Sequence, residues 1–192
     1  MKYLIASDLH GSRPALLRLL QYYDAVHCDM LLLLGDLLNY GPRNGLPDGL
    51  DPMSIVSLLN SRSRDIVCVR GNCDSEVDQM LFDFPMTATY AVVVDDGARL
   101  FLTHGHVYSP DRLPQFHTDL FCQGHTHRWQ LQSADGEQPC LLNVGSPTFL
   151  KMAIRPLLRL TRRDLCVCSM QRPMLSSPSV ASGAIRKQQI HI

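Results

Sequence analysis

Apolar residues in the first half of the chain fall into short unbroken runs, each closed by a polar residue. Lys2–Ser7 leads into Asp8 and His10, Met30–Leu34 into Gly35-Asp36, and Asp65–Val69 into Arg70-Gly71-Asn72. Unbroken rather than alternating runs predict strands buried on both faces. Between them the period lengthens. Ser12-Arg13-Pro14 reads as a helix start, and Leu16, Leu17, Leu19, Leu20 and Tyr23 follow at helical spacing. Met53–Leu59 is a second short helix, and Ser75–Phe82 a third with Ser75 as its cap. Thr89–Val94 and Arg99–Thr103 predict a hairpin around Asp95-Asp96-Gly97, and Thr118–Cys122, Arg128–Gln132 and Cys140–Val144 predict further strands. The Gly/Pro/Asn-rich stretch Asn39–Pro52 is long enough to carry function, as a pocket wall or a subunit contact. No internal repeat is present.

Strands alternating with helices predict α/β layers, and the strand-rich second half predicts a second sheet. Asp8, His10, Asp36, Asn72 and His104 all stand just past the C-terminal ends of apolar runs. Ligands in open α/β sheets gather at those ends.

Composition narrows the class. A length of 192 residues with 45% hydrophobic content suits one compact domain and excludes global disorder. The apolar run around Met30–Leu34 is far shorter than the roughly 20 residues of a membrane helix. The Met1–Ser7 stretch is too short for a signal segment and reads as structure. Seven cysteines without regular spacing point to a reducing cytoplasm. Lys+Arg and Asp+Glu balance at 18 each, but not evenly. Residues 1–147 carry 10 basic and 17 acidic side chains, a balance of −7; residues 148–192 carry 8 basic ones and only Asp164, a balance of +7. Such a shift marks a module boundary or a segment of different origin. The tail arginines form no helical stripe, so neither nucleic acid nor a membrane surface is the expected partner.

Taken singly, the polar clusters are ordinary. Asp8-Leu9-His10 is equally a capping acid beside a surface histidine, and Gly71-Asn72-Cys73-Asp74 equally an Asx turn. Together with His104-Gly105-His106 and His125-Thr126-His127 they form a donor set of carboxylate, amide and imidazole groups. Asp36 ends an apolar run, where an unpaired charge is costly unless a cation removes the cost. Mixed O/N donors without clustered thiolate suit Mn²⁺, Fe²⁺ or Zn²⁺ rather than Ca²⁺. Seven ligands exceed one tetrahedral site, so two ions sharing Asp36 fit better. Two ions roughly 3.5–4 Å apart are a standard device for phosphoester hydrolysis, clamping the phosphoryl oxygens and activating a bridging hydroxide. His27, His117 and His191 lie outside these clusters.

The ordered motifs Ala6-Ser7-Asp8-Leu9-His10-Gly11, Leu34-Gly35-Asp36, Asn39-Tyr40-Gly41-Pro42-Arg43-Asn44, Val69-Arg70-Gly71-Asn72-Cys73-Asp74-Ser75-Glu76-Val77-Asp78, Leu102-Thr103-His104-Gly105-His106 and Gly124-His125-Thr126-His127 carry a resemblance. They resemble the calcineurin-like metallophosphoesterase superfamily, and more closely its small bacterial YfcE-type phosphodiesterases. The resemblance covers about residues 1–147. It implies a four-layer α/β/β/α sandwich with a di-metal site at the C-terminal strand ends. It implies that Asp8, His10 and His127 hold the first ion, that Asn72, His104 and His125 hold the second, and that Asp36 bridges. Mn²⁺ is the implied metal, with Zn, Fe and Ni as alternatives. The implied substrate is a small phosphodiester, and self-association stays open. Many superfamily members place a histidine after the asparagine as a general acid; here that position is Cys73. The leaving-group proton then comes from His106, from water, or is not needed. Arg43 and Arg70, with Cys73, are the candidate substrate contacts. The same resemblance leaves open a non-catalytic scaffold of this fold, as in eukaryotic retromer, and a phosphomonoesterase.

Past Asn143–Ser146 the resemblance stops. Similar proteins continue roughly Ser-Ile-Pro-Lys-Asp/Gly-Gly-Asn-Pro into two more strands; here Pro147-Thr148-Phe149-Leu150-Lys151-Met152-Ala153-Ile154 follows. Read from each third codon base, Met-Ala forces Gly and Lys-Met gives Asn or Asp. Phe-Leu, Leu-Lys and Ala-Ile can give Pro, Lys and Asn. The expectation is a domain over 1–147 and a divergent, poorly ordered tail over 148–192, arising from a frameshift near Gly145–Thr148. A genuine basic extension is the rival. The lost strands are expected to leave part of the second sheet uncovered.

Overall fold

A computed structural model describes residues 1–136, 138–149, 157–161, 164–170 and 185–191, the last three stretches as backbone. Two sheets stack face to face. The first has the order β11-β10-β9-β1-β2-β3 and the second β4-β5-β6-β8-β7. In the first sheet, β1 (Lys2–Ala6), β2 (Met30–Leu33) and β3 (Ile66–Cys68) run parallel, with Tyr3 opposite Met30 and Leu31 opposite Ile66. Their crossovers carry α1 (Arg13–Ala25) and α2 (Pro52–Asn60). Helix α1 starts as the sequence predicts, and α2 starts at Pro52, one residue before the predicted Met53. Ser12 and Asp51 accept N–H bonds from Ala15 and Ser54, and Pro14 and Pro52 occupy the first turns.

The unbroken apolar runs serve two cores. Leu4, Ala6, Leu31 and Leu33 face α1 and α2, packing with Leu16, Leu19, Leu20, Ile55 and Leu59. Tyr3, Ile5, Leu32 and Leu34 face the other way, into the second sheet's Leu100, Leu102, Leu120, Cys122, Leu142 and Val144. Each such buried side chain contributes about 1.5–3 kcal/mol relative to exposure. This double burial fixes the register of β1 and β2, and hence where their polar ends emerge.

The hairpin is β4 (Tyr90–Asp95) and β5 (Ala98–Thr103), followed by β6 (Leu120–Gln123), β7 (Trp129–Gln132) and β8 (Cys140–Val144). On the outer face of this sheet Phe101 stacks on Phe121 and meets Tyr108 and Phe116 of the following loop. Among the described residues no helix lies there; that loop fills the layer. The third helix, α3 (Glu76–Gln79), is shorter than the predicted Ser75–Phe82, because Phe82, Phe84 and Met86 turn inward to the first core.

The backbone of β9 (Leu157–Thr161) pairs antiparallel with β1, and β10 (Asp164–Met170) and β11 (Ile185–His191) extend that sheet. The tail strands therefore join the first sheet, whereas the sequence reading placed the loss in the second. The rest of the tail expectation, over 150–156, 162–163, 171–184 and 192, lies outside the described residues.

Candidate metal centre

Five loops converge at the C-terminal strand ends, and backbone bonds knit them. Asp8 and His10 donate their N–H groups to the carbonyls of Gly35 and Asp36, at 3.0 and 2.9 Å, so the loops after β1 and β2 run side by side. Gly124 donates to the His104 carbonyl at 2.9 Å, joining the loops after β5 and β6. Asp8, His10, Asp36, His125 and His127 all adopt positive φ, between 48° and 67°. Asp and His tolerate this region better than most residues, yet the cost is still of order 1 kcal/mol each. Such strain concentrated in one place points to a site. Gly71 and Gly124 are needed for close approach: a Cβ on Gly71 would meet the Asp36 carboxylate, and one on Gly124 the Ser7 hydroxyl.

The donors form two groups. In the first, His10 Nε2 lies 3.0 Å from His127 Nε2, and Asp8 Oδ1 lies 3.5 and 3.3 Å from those nitrogens. In the second, His104 Nε2 lies 3.0 Å from Asn72 Oδ1 and 3.2 Å from His125 Nδ1. Asp36 Oδ2 stands between them, 3.9 Å from His10 Nε2 and 3.5 Å from His104 Nε2. Its other oxygen accepts the Cys73 N–H at 2.8 Å. His10 Nδ1 faces the Asn39 carbonyl and His104 Nδ1 the Leu34 carbonyl, both at 2.7 Å. Those carbonyls can only accept, so each Nδ1 carries the proton and each Nε2 presents a lone pair inward.

These facing lone pairs fit a cation. Asp8 Oδ1 is buried with no hydrogen-bond partner, and the acids and imidazoles around it lie within 4.8 Å of one another as Asp8-His10-His127 and Asp8-Asp36-His104. The electrostatics agree. Burial would raise the Asp8 carboxyl, but the imidazoles of His10 and His127, with His104 behind, hold it well below the carboxylate range. Burial would lower His10, but Asp8, the Asn39 carbonyl and Asp36 raise it. The pocket floor therefore favours positive charge. His125 and His106 are pushed down, first by burial and then by the charge of His104.

Above the donors opens a cleft of about 370 Å³ lined by Asp36, Gly41, Pro42, Arg43, Asn44, Asn72, Cys73, His125, Thr126 and His127. The Asn39–Pro52 loop thus supplies a pocket wall, one of the two roles its length suggests. The predicted residues separate here. Arg43 lines the cleft, whereas Arg70 is not among its lining residues and donates to the Asp74 carbonyl at 3.2 Å and to Glu76 at 3.0 Å. His106 is exposed, its ring 5.3 Å from that of His104 and 6.3 Å from that of His125. Cys73 lies on the wall, its thiol pushed up to about 12 by burial and by Asp36, so it is not a thiolate donor at neutral pH.

Supporting residues went unassigned in the sequence. Asp74 is buried and accepts the N–H groups of Gly71 at 2.7 Å, Asp36 at 2.8 Å and Leu37 at 3.0 Å, clamping two ligand loops together. Asn143 donates to the Gly124 carbonyl and to Thr126, and Ser146 to the Asp8 carbonyl. Asn143 is the one polar residue inside the otherwise apolar β8, a break that could have marked it. Phe149 stacks on His127, with ring centres 5.5 Å apart and planes 15° apart.

The sequence of residues 1–161 matches the calcineurin-like phosphoesterase superfamily domain. The chain belongs to that superfamily. It is 48% identical over 128 residues to phosphodiesterase YfcE of Escherichia coli K12, spanning 66% of this chain and 70% of that protein. The solved structure of the E. coli YfcE phosphoesterase superposes with a TM-score of 0.80 and 40% identity, covering 89% of this chain and 93% of that one. The Zn²⁺ complex of Vps29 from Entamoeba histolytica shares the fold, with a TM-score of 0.62 at 18% identity, covering 100% of this chain and 99% of that one. The chain is a metal-dependent phosphoric ester hydrolase of the α/β two-sheet type. Among the described residues no helix is long and apolar enough to cross a membrane.

Proposed function

We propose that this hydrolase is a two-metal phosphodiesterase acting on small diesters, with Mn²⁺ as its working ion. The observation that carries the reading is the pair of inward-facing donor groups with Asp36 Oδ2 between them. Asp8, His10 and His127 would hold one ion, Asn72, His104 and His125 the other, and Asp36 both. All are hard or borderline O and N donors, which suits Mn²⁺. When bound, the ions would supply charge neutralisation at the phosphoryl oxygens and a water acidic enough to act as nucleophile near neutral pH.

The chain's own residues do the rest. Arg43 reaches the cleft from its outer wall, where a guanidinium can receive a phosphate oxygen pair. Cys73 packs beside the substrate as a neutral thiol. His106 is held toward its neutral form, so at pH 7 it orients a leaving-group oxygen more readily than it protonates one. That fits diesters with acidic alcohols as leaving groups. The full donor set favours catalysis over a scaffold role. Free Cys28, Cys68, Cys73, Cys122 and Cys140 are in keeping with a reducing cytoplasm.

The test is hydrolysis of bis(p-nitrophenyl) phosphate by metal-stripped protein, before and after Mn²⁺ is returned, beside p-nitrophenyl phosphate. The reading expects activity only with Mn²⁺, the diester preferred, and loss in Asp36→Asn. Preference for the monoester would replace it with a phosphomonoesterase. A folded, metal-loaded protein without activity on either would favour the scaffold.

A further inference from the structure

We infer that Asn39 and Asp78 are positioning residues: together they set the affinity of the His10 donor group for its ion and hold the Arg43 wall of the cleft. The inference rests on the phosphodiesterase reading. Asp78 is 6% exposed, and among the described residues no basic side chain stands at its oxygens. It accepts the Ser75 N–H at 2.8 Å and the Asn39 side-chain amide at 3.1 and 3.4 Å. The same amide nitrogen donates to the Cys73 carbonyl at 3.3 Å. Both amide hydrogens are thereby used, and Asn39 is pinned to the loop that carries Asn72 and Cys73.

The pinned residue does two things with its backbone. Its carbonyl receives His10 Nδ1 at 2.7 Å, the bond that keeps the Nε2 lone pair facing inward. Its chain then runs directly into Tyr40-Gly41-Pro42-Arg43-Asn44. Asn44 closes that turn by donating to the Tyr40 carbonyl at 2.6 Å. If the Asn39 peptide plane is released, His10 can rotate or move its proton to Nε2, where it would repel a cation. In the second donor group the His104 ring does not share this dependence, because it is held by the carbonyl of Leu34, just past the end of β2. The consequence is asymmetric: disturbing the pair should weaken the ion at the His10 group more than the ion at the His104 group.

The experiment titrates Mn²⁺ into metal-stripped protein and follows free Mn²⁺ by electron paramagnetic resonance, which resolves two affinities without reference to turnover. Asn39→Asp sets two carboxylates against each other and removes both donors. One of the two ions, the one at the His10 group, should lose about 10–100-fold in affinity, the range for lost outer-shell partners, while the other changes less than about threefold. At saturating Mn²⁺, KM for the diester should rise more than kcat falls. Asn39→Asp combined with Asp78→Asn rebuilds the amide–carboxylate bond in the opposite sense and should recover part of the lost affinity. Asp78→Asn alone, which keeps the Ser75 bond, should act on the same ion more mildly and serves if Asn39→Asp does not fold. Equal weakening of both ions, unchanged affinities in the single variants, or a double variant no better than Asn39→Asp would overturn the inference. If the parent binds two ions but cleaves no diester, the phosphodiesterase reading fails while the binding result still judges the pair.

Discussion

Replacing Asp74 tests how the site is held open for its ions. The Asp74 carboxylate accepts three backbone N–H groups, from Asp36, Leu37 and Gly71, at 2.7–3.0 Å, in a setting 3% exposed. Asp74→Ala strands all three. Each stranded donor costs about 1–3 kcal/mol, and shared relaxation brings the sum to about 3–6 kcal/mol, a large part of a domain's 5–15 kcal/mol. Asp74→Asn keeps one accepting oxygen and turns an amide toward an N–H. Burial raises the Asp74 carboxyl against the pull of its N–H partners, so removing the charge returns part of the loss. The net for Asp74→Asn is therefore about 1–2 kcal/mol. At about 2–4 °C per kcal/mol for this size, Asp74→Ala should lower Tm by about 6–24 °C and Asp74→Asn by about 2–8 °C. Scanning calorimetry with metal removed reads both. Because the clamp holds Asp36 at positive φ, Mn²⁺ affinity should fall in the same order. An Asp74→Ala protein that melts within 2 °C of the parent and binds Mn²⁺ as tightly would refute the clamp.

Other outcomes follow from the same contacts. Gly71→Ala should abolish Mn²⁺ binding or folding, because the added methyl enters the Asp36 carboxylate; equilibrium dialysis of the soluble fraction decides it. The Asp8 carboxyl is held below its unfolded value, so its stabilisation is complete above about pH 4 and is lost as pH falls through the lowered value. Urea midpoints of metal-free protein between pH 2 and 6 should drop accordingly, and the drop should flatten in Asp8→Asn. Cys73, at about 12, should react slowly with iodoacetamide at pH 8 in the folded protein, and Cys73→Ser should keep most activity; rapid alkylation would show a thiolate. We propose that residues 148–192 arise from a shifted reading frame. A chain given a Ser-Ile-Pro-Lys-type ending should then melt higher than this one, and equal Tm values would count against the idea.

What the sequence reveals and what it hides have physical causes. β1 and β2 are legible because both faces are buried, leaving runs such as Tyr3–Ala6 and Leu31–Leu34 without a polar break. The site is legible for a related reason: Asp8, Asp36 and His104 each stand two positions past the last apolar residue of such a run, where a polar group needs a partner. Residues acting through backbone contacts are harder to see. Asp74 reads as one more turn acid, and only the fold shows that its partners lie 37 and 38 positions away. Arg70 stands beside Glu76 after the turn that follows β3, a local tie that its place in the sequence does not announce. Helix α3 stops early because Phe82 and Phe84 are drawn into a core that local spacing does not register. The joining of β9 to β1 is a pairing of residues more than 150 positions apart, with Tyr3 opposite Leu158, which no local pattern encodes.

The most direct measurement of the central claim is anomalous diffraction at the manganese edge from crystals grown with Mn²⁺. The account predicts two peaks roughly 3.5–4 Å apart, one among Asp8, His10 and His127, the other among Asn72, His104 and His125, with Asp36 reaching both. A single peak, or two that do not share Asp36, would contradict it.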